Sequence, residues 1–288
     1  MQDAARRVAV AGLALVVGGL VACGGSPASP APQPTPPDGA EVLLRLDTEQ
    51  ALPPQAGFGD PSAIVITLDG RALAWGAVPA IFPGPAVMPM LQRQVTPAGW
   101  ARIVELARGS GLLVGQGVIG EIAPGSTIVR LSIVADGKLH QVSAANTFPG
   151  CLSDPCQGPP GSAEALSGFL SRLSELETFL GDDLGAEQPY VPEGYAVLVV
   201  AVPENDGLPQ QAIEWPFPEG FAGFGLPLAD GSGFRCGTVT GTDATAFAGI
   251  LAHASQITPW RDPVDGSLHG LTVRPLLPGD GDPCRGMV

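Results

Sequence analysis

Ile64-Val-Ile-Thr-Leu-Asp-Gly-Arg-Ala-Leu-Ala-Trp75 decides the fold. Two short apolar runs flank Asp69-Gly70, and Asp-Gly supplies the positive φ values that a tight two-residue hairpin turn needs. The same pattern returns at residues 127–143, where Val129, Leu131 and Ile133 alternate on one face and Asp136-Gly137 makes the turn. Residues 42–46 read as a further short apolar strand. Between and after these hairpins come helices. Thr96 is an N-cap with Pro97 at the first helical position. Trp100, Ile103, Val104 and Ala107 follow at i, i+3, i+4, i+7, and the run stops at Gly109 to Gly111. Ser162 caps the strongest helix, with Leu166, Phe169, Leu170, Leu173 and Leu180 on one stripe and Gly181 beyond its end.

The second half is shorter and repeats a strand–helix–strand order without a sequence repeat. Residues 188–194 read as a linker or wide loop, and 195–202 as a buried strand. Residues 212–217 read as another strand, which Pro216 demotes to an edge. A helix over 243–255 has Thr242 as its expected cap and Phe247, Ile250, Leu251 and Ala254 turned inward; 268–276 returns as a strand. The expected fold class is α+β: antiparallel sheet built from hairpins, with helices on one face. It is either one continuous sheet or two small lobes, 40–187 and 188–288.

The N-terminus predicts an address. Arg6 and Arg7 precede an apolar run, and Leu20-Val21-Ala22-Cys23 reads as a lipobox. Residues 1–22 are then a signal peptide, and Cys23 is the lipidation site. The run is too short and glycine-rich for a membrane span, which needs about 20 apolar residues. Residues 23–39 hold Pro27, Pro30, Pro32, Pro34, Pro36 and Pro37. Such a segment extends at about 3.1 Å per residue, a tether reaching roughly 50 Å. The implied location is the extracytoplasmic face of the cell membrane, with the lipid as the membrane partner.

Composition narrows the partners. The chain has 288 residues and a formal charge of −14, with a single lysine, Lys138. An acidic surface repels phosphate backbones, which argues against nucleic acid. With Cys23 lipidated, Cys151, Cys156, Cys236 and Cys284 remain. Four thiols in an oxidising compartment point to two disulfides, and sequence alone allows three pairings. The favoured pairing is Cys151–Cys156, pinching a short loop, with Cys236–Cys284, pinning the C-terminal tail. The Cys-x-x-Cys pairs of a structural zinc site are missing.

No coherent catalytic set emerges. Gly115-Gln-Gly117-Val-Ile-Gly120 matches the dinucleotide pattern, but Pro124 prevents the helix whose N-terminus would meet a pyrophosphate; the segment reads as a flexible loop. His140, His253 and His269 show no metal spacing, and His140 is expected opposite the buried face of its hairpin. Asp182 and Asp183 read as exposed turn residues. Asp280-Gly-Asp282 lacks most of a calcium loop. No cofactor or metal is expected. Trp215, Phe217, Phe221, Phe224 and Trp260 are the candidates for a ligand groove, the competing reading being a loop-rich aromatic cap packed on the second lobe.

Leu43-Leu-Arg-Leu-Asp47, Ile66-Thr-Leu-Asp-Gly70, Ile213-Glu-Trp-Pro216, Thr258-Pro-Trp260 and Val273-Arg-Pro-Leu-Leu-Pro278 with Cys284 resemble secreted lipoproteins of high-GC Gram-positive bacteria. The resemblance covers most of the mature chain. It implies location and fold, and it supplies no catalytic residues, since those proteins generally carry no assigned activity. The expected function is a lipid-anchored binding or structural protein that meets an envelope protein, polymer or small ligand. The alternative is a hydrolase of envelope material using carboxylates assembled from separate segments.

Overall fold

The computed structural model describes residues 41–50, 57–78, 80–121, 126–145, 158–202, 207–208 and 210–288. The lipobox with Cys23, the proline-rich tether, Pro124, and the cysteines Cys151 and Cys156 lie outside the described residues.

An eight-stranded sheet is built from β1 (Val42–Gln50), β2 (Ile64–Thr67), β3 (Arg71–Trp75), β4 (Met90–Gln94), β5 (Gln116–Ile119), β6 (Thr127–Ala135), β7 (Lys138–Ala145) and β8 (Gln188–Pro189). Its order is β5-β7-β6-β1-β2-β3-β4-β8, antiparallel except for the β5–β7 pair. Hairpin grammar explains the middle of this sheet. At Asp136-Gly137 both residues have positive φ, and Ala135 pairs with Lys138, a two-residue turn. The Asp69-Gly70 turn differs from its expectation. Three residues, Leu68, Asp69 and Gly70, form the loop, and of these Gly70 alone takes positive φ. The Gly70 N–H donates to the Thr67 carbonyl and the Arg71 N–H to Oγ1 of Thr67. A threonine hydroxyl inside the turn thus satisfies the extra backbone donor.

Helix α1 (Pro97–Gly109) starts where Thr96 Oγ1 accepts the Gly99 N–H. Helix α2 (Ala163–Ser174) starts where Ser162 accepts from Ala165. The apolar stripe expected to run unbroken to Leu180 bends instead at Glu175 (φ −115°, ψ 41°), giving a separate α3 (Leu176–Leu180) and a 3-10 turn, Gly181–Asp183. Trp100, Ile103, Ala107, Leu166, Phe169, Leu170 and Leu173 pack with Leu44, Leu46, Ile64, Ile66, Leu131, Ile133 and Val142 in one core. Full burial of each large side chain there contributes about 2 kcal/mol.

A second, six-stranded sheet holds β9 (Gly194–Val200), β10 (Ile213–Glu214), β11 (Leu226–Pro227), β12 (Arg235–Thr240), β13 (Trp260–Arg261) and β14 (Leu268–Pro275). The order is β10-β13-β14-β9-β12-β11, antiparallel except for β10–β13. β9 alternates between two cores. Tyr195, Val197 and Val199 face Phe247 and Leu251 of α5 (Gly241–Leu251). Ala196 and Leu198 pack with Phe58, Leu228, Cys236, Cys284 and Met287. The fold is therefore α+β with two antiparallel-dominated sheets.

Besides the turn at Gly70 and the break at Glu175, three more elements depart from the sequence reading, and β4, β11, β12 and β13 have no counterpart in it. Residues 116–119, expected as a loop, are an edge strand parallel to β7. Part of the expected linker, Gln188–Pro189, pairs with β4. Helix α5 begins before Thr242, with Thr240 in the cap position and no side-chain cap bond, because β12 runs straight into it.

The C-terminal residues tie the sheets together. Leu277 packs on Val65, Leu73 and Met90 of the first sheet, while Cys284 and Met287 pack on the second. Asp280 bonds Arg45 of β1 and Arg274 of β14. Tyr190, just past β8, donates from its hydroxyl to the Leu276 carbonyl at 3.2 Å.

Candidate functional site

Six aromatic side chains come together around Trp215: Trp215 and Phe217 just past β10, Phe221 and Phe224 in the next turn, Phe247 on α5 and Trp260 on β13. The Trp215 ring centroid lies 4.9 Å from Phe217, 4.7 Å from Phe221, 5.1 Å from Phe224, 5.6 Å from Phe247 and 6.3 Å from Trp260. Most of these contacts are edge-to-face, the arrangement the ring quadrupoles favour. Trp215, Phe221, Phe224 and Trp260 are buried and Phe217 half-buried. The five groove candidates thus mainly fill core, and only Phe217 and Phe224 reach a cavity.

That cavity, of about 450 Å³, opens beside α4 (Gly220–Gly223) and β11. Phe217, Phe224 and Val239 line it, together with the bonded Cys236–Cys284 pair. Close backbone approach makes the space. Gly225 has φ +54°, and a Cβ there would lie 2.1 Å from the Cys236 carbonyl oxygen. Arg235 of β12 spends its guanidinium on two main-chain acceptors, the Phe224 carbonyl at 2.7 Å and the Gly225 carbonyl at 3.0 Å.

The charged residues lining the cavity are Glu219, Asp243 and Asp282. Among the described residues none of the three has an ion-pair partner, whereas Asp47, Asp69, Glu105, Asp136, Glu177, Asp183, Glu187, Glu214 and Asp280 each bond an arginine. Asp282 does accept the Cys284 N–H at 2.9 Å. Glu219 comes from the start of α4, Asp243 from the first turn of α5 and Asp282 from the C-terminal segment. Sequence reading weighed Asp282 only as part of a calcium loop and passed over the other two. No local signal joins them, because their proximity depends on β11 folding back on β12.

The remaining candidates serve the fold. Asp280 is held by two arginines, and Asp183 is no exposed turn residue: it accepts from the Thr96 hydroxyl at 2.7 Å and bonds Arg102. His140 is buried, contrary to expectation, with Nδ1 accepting the Gly115 N–H at 3.0 Å and Nε2 without a hydrogen-bond partner among the described residues. The register explains it: the two-residue turn sets His140 opposite Ile133, on the core face. His253 is exposed, and His269 stacks on Phe221 at 4.6 Å with Nε2 2.8 Å from the Ser267 hydroxyl. Among the described residues no group of three or more His, Cys, Asp or Glu is placed to hold a metal ion, and no helix is long and apolar enough to cross a membrane.

No family model, no curated protein and no solved structure matches the chain.

Proposed function

We propose that this chain is a lipid-anchored, non-enzymatic binding protein of the extracytoplasmic membrane face, taking its ligand in the cavity beside α4 and β11. The observation that carries this reading is the cavity's lining. Phe217 and Phe224 line the cavity beside Glu219, Asp243 and Asp282, three carboxylates with no arginine partner among the described residues. Its volume, about 450 Å³, falls in the range of small-molecule sites. The bonded Cys236–Cys284 pair fits an oxidising compartment, and Cys23 supplies the anchor. A carboxylate hydrolase would need one acid held up to donate a proton. The shifted aspartates, Asp69, Asp265 and Asp280, run the other way: Ser267 holds Asp265 down through its hydroxyl and N–H, and against burial Arg274, the Leu277 N–H and Arg45 hold Asp280 down.

The test is native against denaturing mass spectrometry of the mature chain purified from its own membrane, beside a Thr238→Trp variant. Thr238 is exposed and lines the cavity, so the indole fills it without entering a core. A mass excess present only under native conditions, and lost in the variant, is expected. Excess mass that survives the variant would place the ligand elsewhere. Firm membrane attachment after Cys23→Ser would remove the anchor from the proposal.

A further inference from the structure

We infer that the ligand of this cavity is a small organic cation carrying an apolar body, such as a primary or quaternary ammonium; the inference rests on the cavity being the binding site. Two independent properties of the lining point the same way. The first is electrostatic. Glu219, Asp243 and Asp282 line the cavity from three segments, and Arg235 of β12 is taken up by the Phe224 and Gly225 carbonyls. A cleft lined by one sign of charge concentrates the potential and draws in the opposite charge. Several carboxylates elsewhere are held by arginines: Arg93 bridges Glu177 and Glu187, and Asp280 sits between Arg45 and Arg274.

The second property is the ring pair. Phe217 and Phe224 both line the cavity, and Trp215 packs against them at 74° and 78°. Backed this way, the rings are fixed before a ligand arrives. A cation over an aromatic face gains from the ring quadrupole, more so where water is partly excluded. An anion would meet three carboxylates, and a neutral apolar molecule would leave them without a partner. A cation with an apolar body satisfies both walls at once. The cavity is too small for a folded partner and matches a ligand of modest size.

The probes are 2-phenylethylammonium and its neutral counterpart 2-phenylethanol, titrated calorimetrically into the full mature chain, with 3-phenylpropionate as the anion. Saturable binding of the ammonium is expected, about tenfold or more tighter than the alcohol, with no binding of the carboxylate. The double change Glu219→Gln with Asp243→Asn should weaken the ammonium about tenfold and leave the alcohol unchanged, and added salt should weaken it too. Both side chains are exposed, so the variant keeps its fold, which its unfolding midpoint verifies. Equal affinity for ammonium and alcohol, blocked by Thr238→Trp, would overturn the cation inference and leave the cavity reading standing. A native mass excess lost in Thr238→Trp, with no binding of the ammonium, would do the same. Absence of both would bring down the two together.

Discussion

Arg274 on β14 and Asp280, six residues later, form a buried ion pair at 2.7 Å, and the second oxygen of Asp280 belongs to Arg45 on the other sheet. The Asp280 side chain is 4% exposed. Removing Asp280 leaves Arg274 without its partner and Arg45 with Asp47 alone, and breaking such a part-buried pair costs about 3 kcal/mol. Asp280→Asn should therefore lower the free energy of unfolding by about 3 kcal/mol, read from urea titrations of the two proteins. A loss within experimental error would show that water reaches Arg45 and Arg274.

The same carboxylate sets an acid limit. Burial pushes its pKa up, but Arg274, the Leu277 N–H and Arg45 together hold it below 3.8, its ordinary value. A group depressed in the folded state contributes stability that is complete above the unfolded value and lost as pH falls through the folded one. The advantage of the wild type over Asp280→Asn should be constant from neutral pH to about 5 and shrink below about 4. An advantage that grows on acidification would reverse the sign of this account.

Cys236 and Cys284 close a loop of 48 residues. On chain entropy, losing that closure destabilises by about 4 kcal/mol. Cys284→Ser should show this loss, and reductant should then have no further effect on the variant's Cys236. Wild-type unfolding midpoints identical with and without reductant would mean that the bond contributes nothing.

Gly225→Ala tests how the cavity is made. With φ at +54° and a Cys236 oxygen 2.1 Å from the added Cβ, the alanine forces β11 away from β12. Stability should fall by more than 2 kcal/mol, beyond the usual strain of a left-handed alanine. Thermal unfolding measures the fall, and binding of 2-phenylethylammonium should be lost with it. A variant as stable as the parent would show that the two strands separate freely.

What the sequence discloses follows the distance over which each element is determined. The turn at Asp136-Gly137 and the caps at Thr96 and Ser162 are set by residues within four positions, and each is found where expected. Gln116–Ile119 and Gln188–Pro189 are strands because of partners at 141–144 and 91–92, and nothing in their own composition announces them. His140 shows a readable signal that was missed. Counting back across the turn from Ala135–Lys138 puts it opposite Ile133, on the buried face. Cys236–Cys284 is the favoured one of three pairings that the sequence allows, and the fold is what decides it. The cavity was not legible, since Glu219, Asp243 and Asp282 lie on three segments that only the fold assembles.

The strand order of the second sheet has a consequence for biosynthesis. β9 emerges from the ribosome early, yet one of its two neighbours is β14, near the end of the chain. Its seven residues, all but one buried, must wait for Leu268–Pro275 to be made. Until then an apolar strand with two open edges invites wrong partners. Arg45 waits longer still for Asp280. A chain cut before Leu268 would leave the first sheet nearly whole and β9 with an open edge, a product suited to degradation rather than partial function.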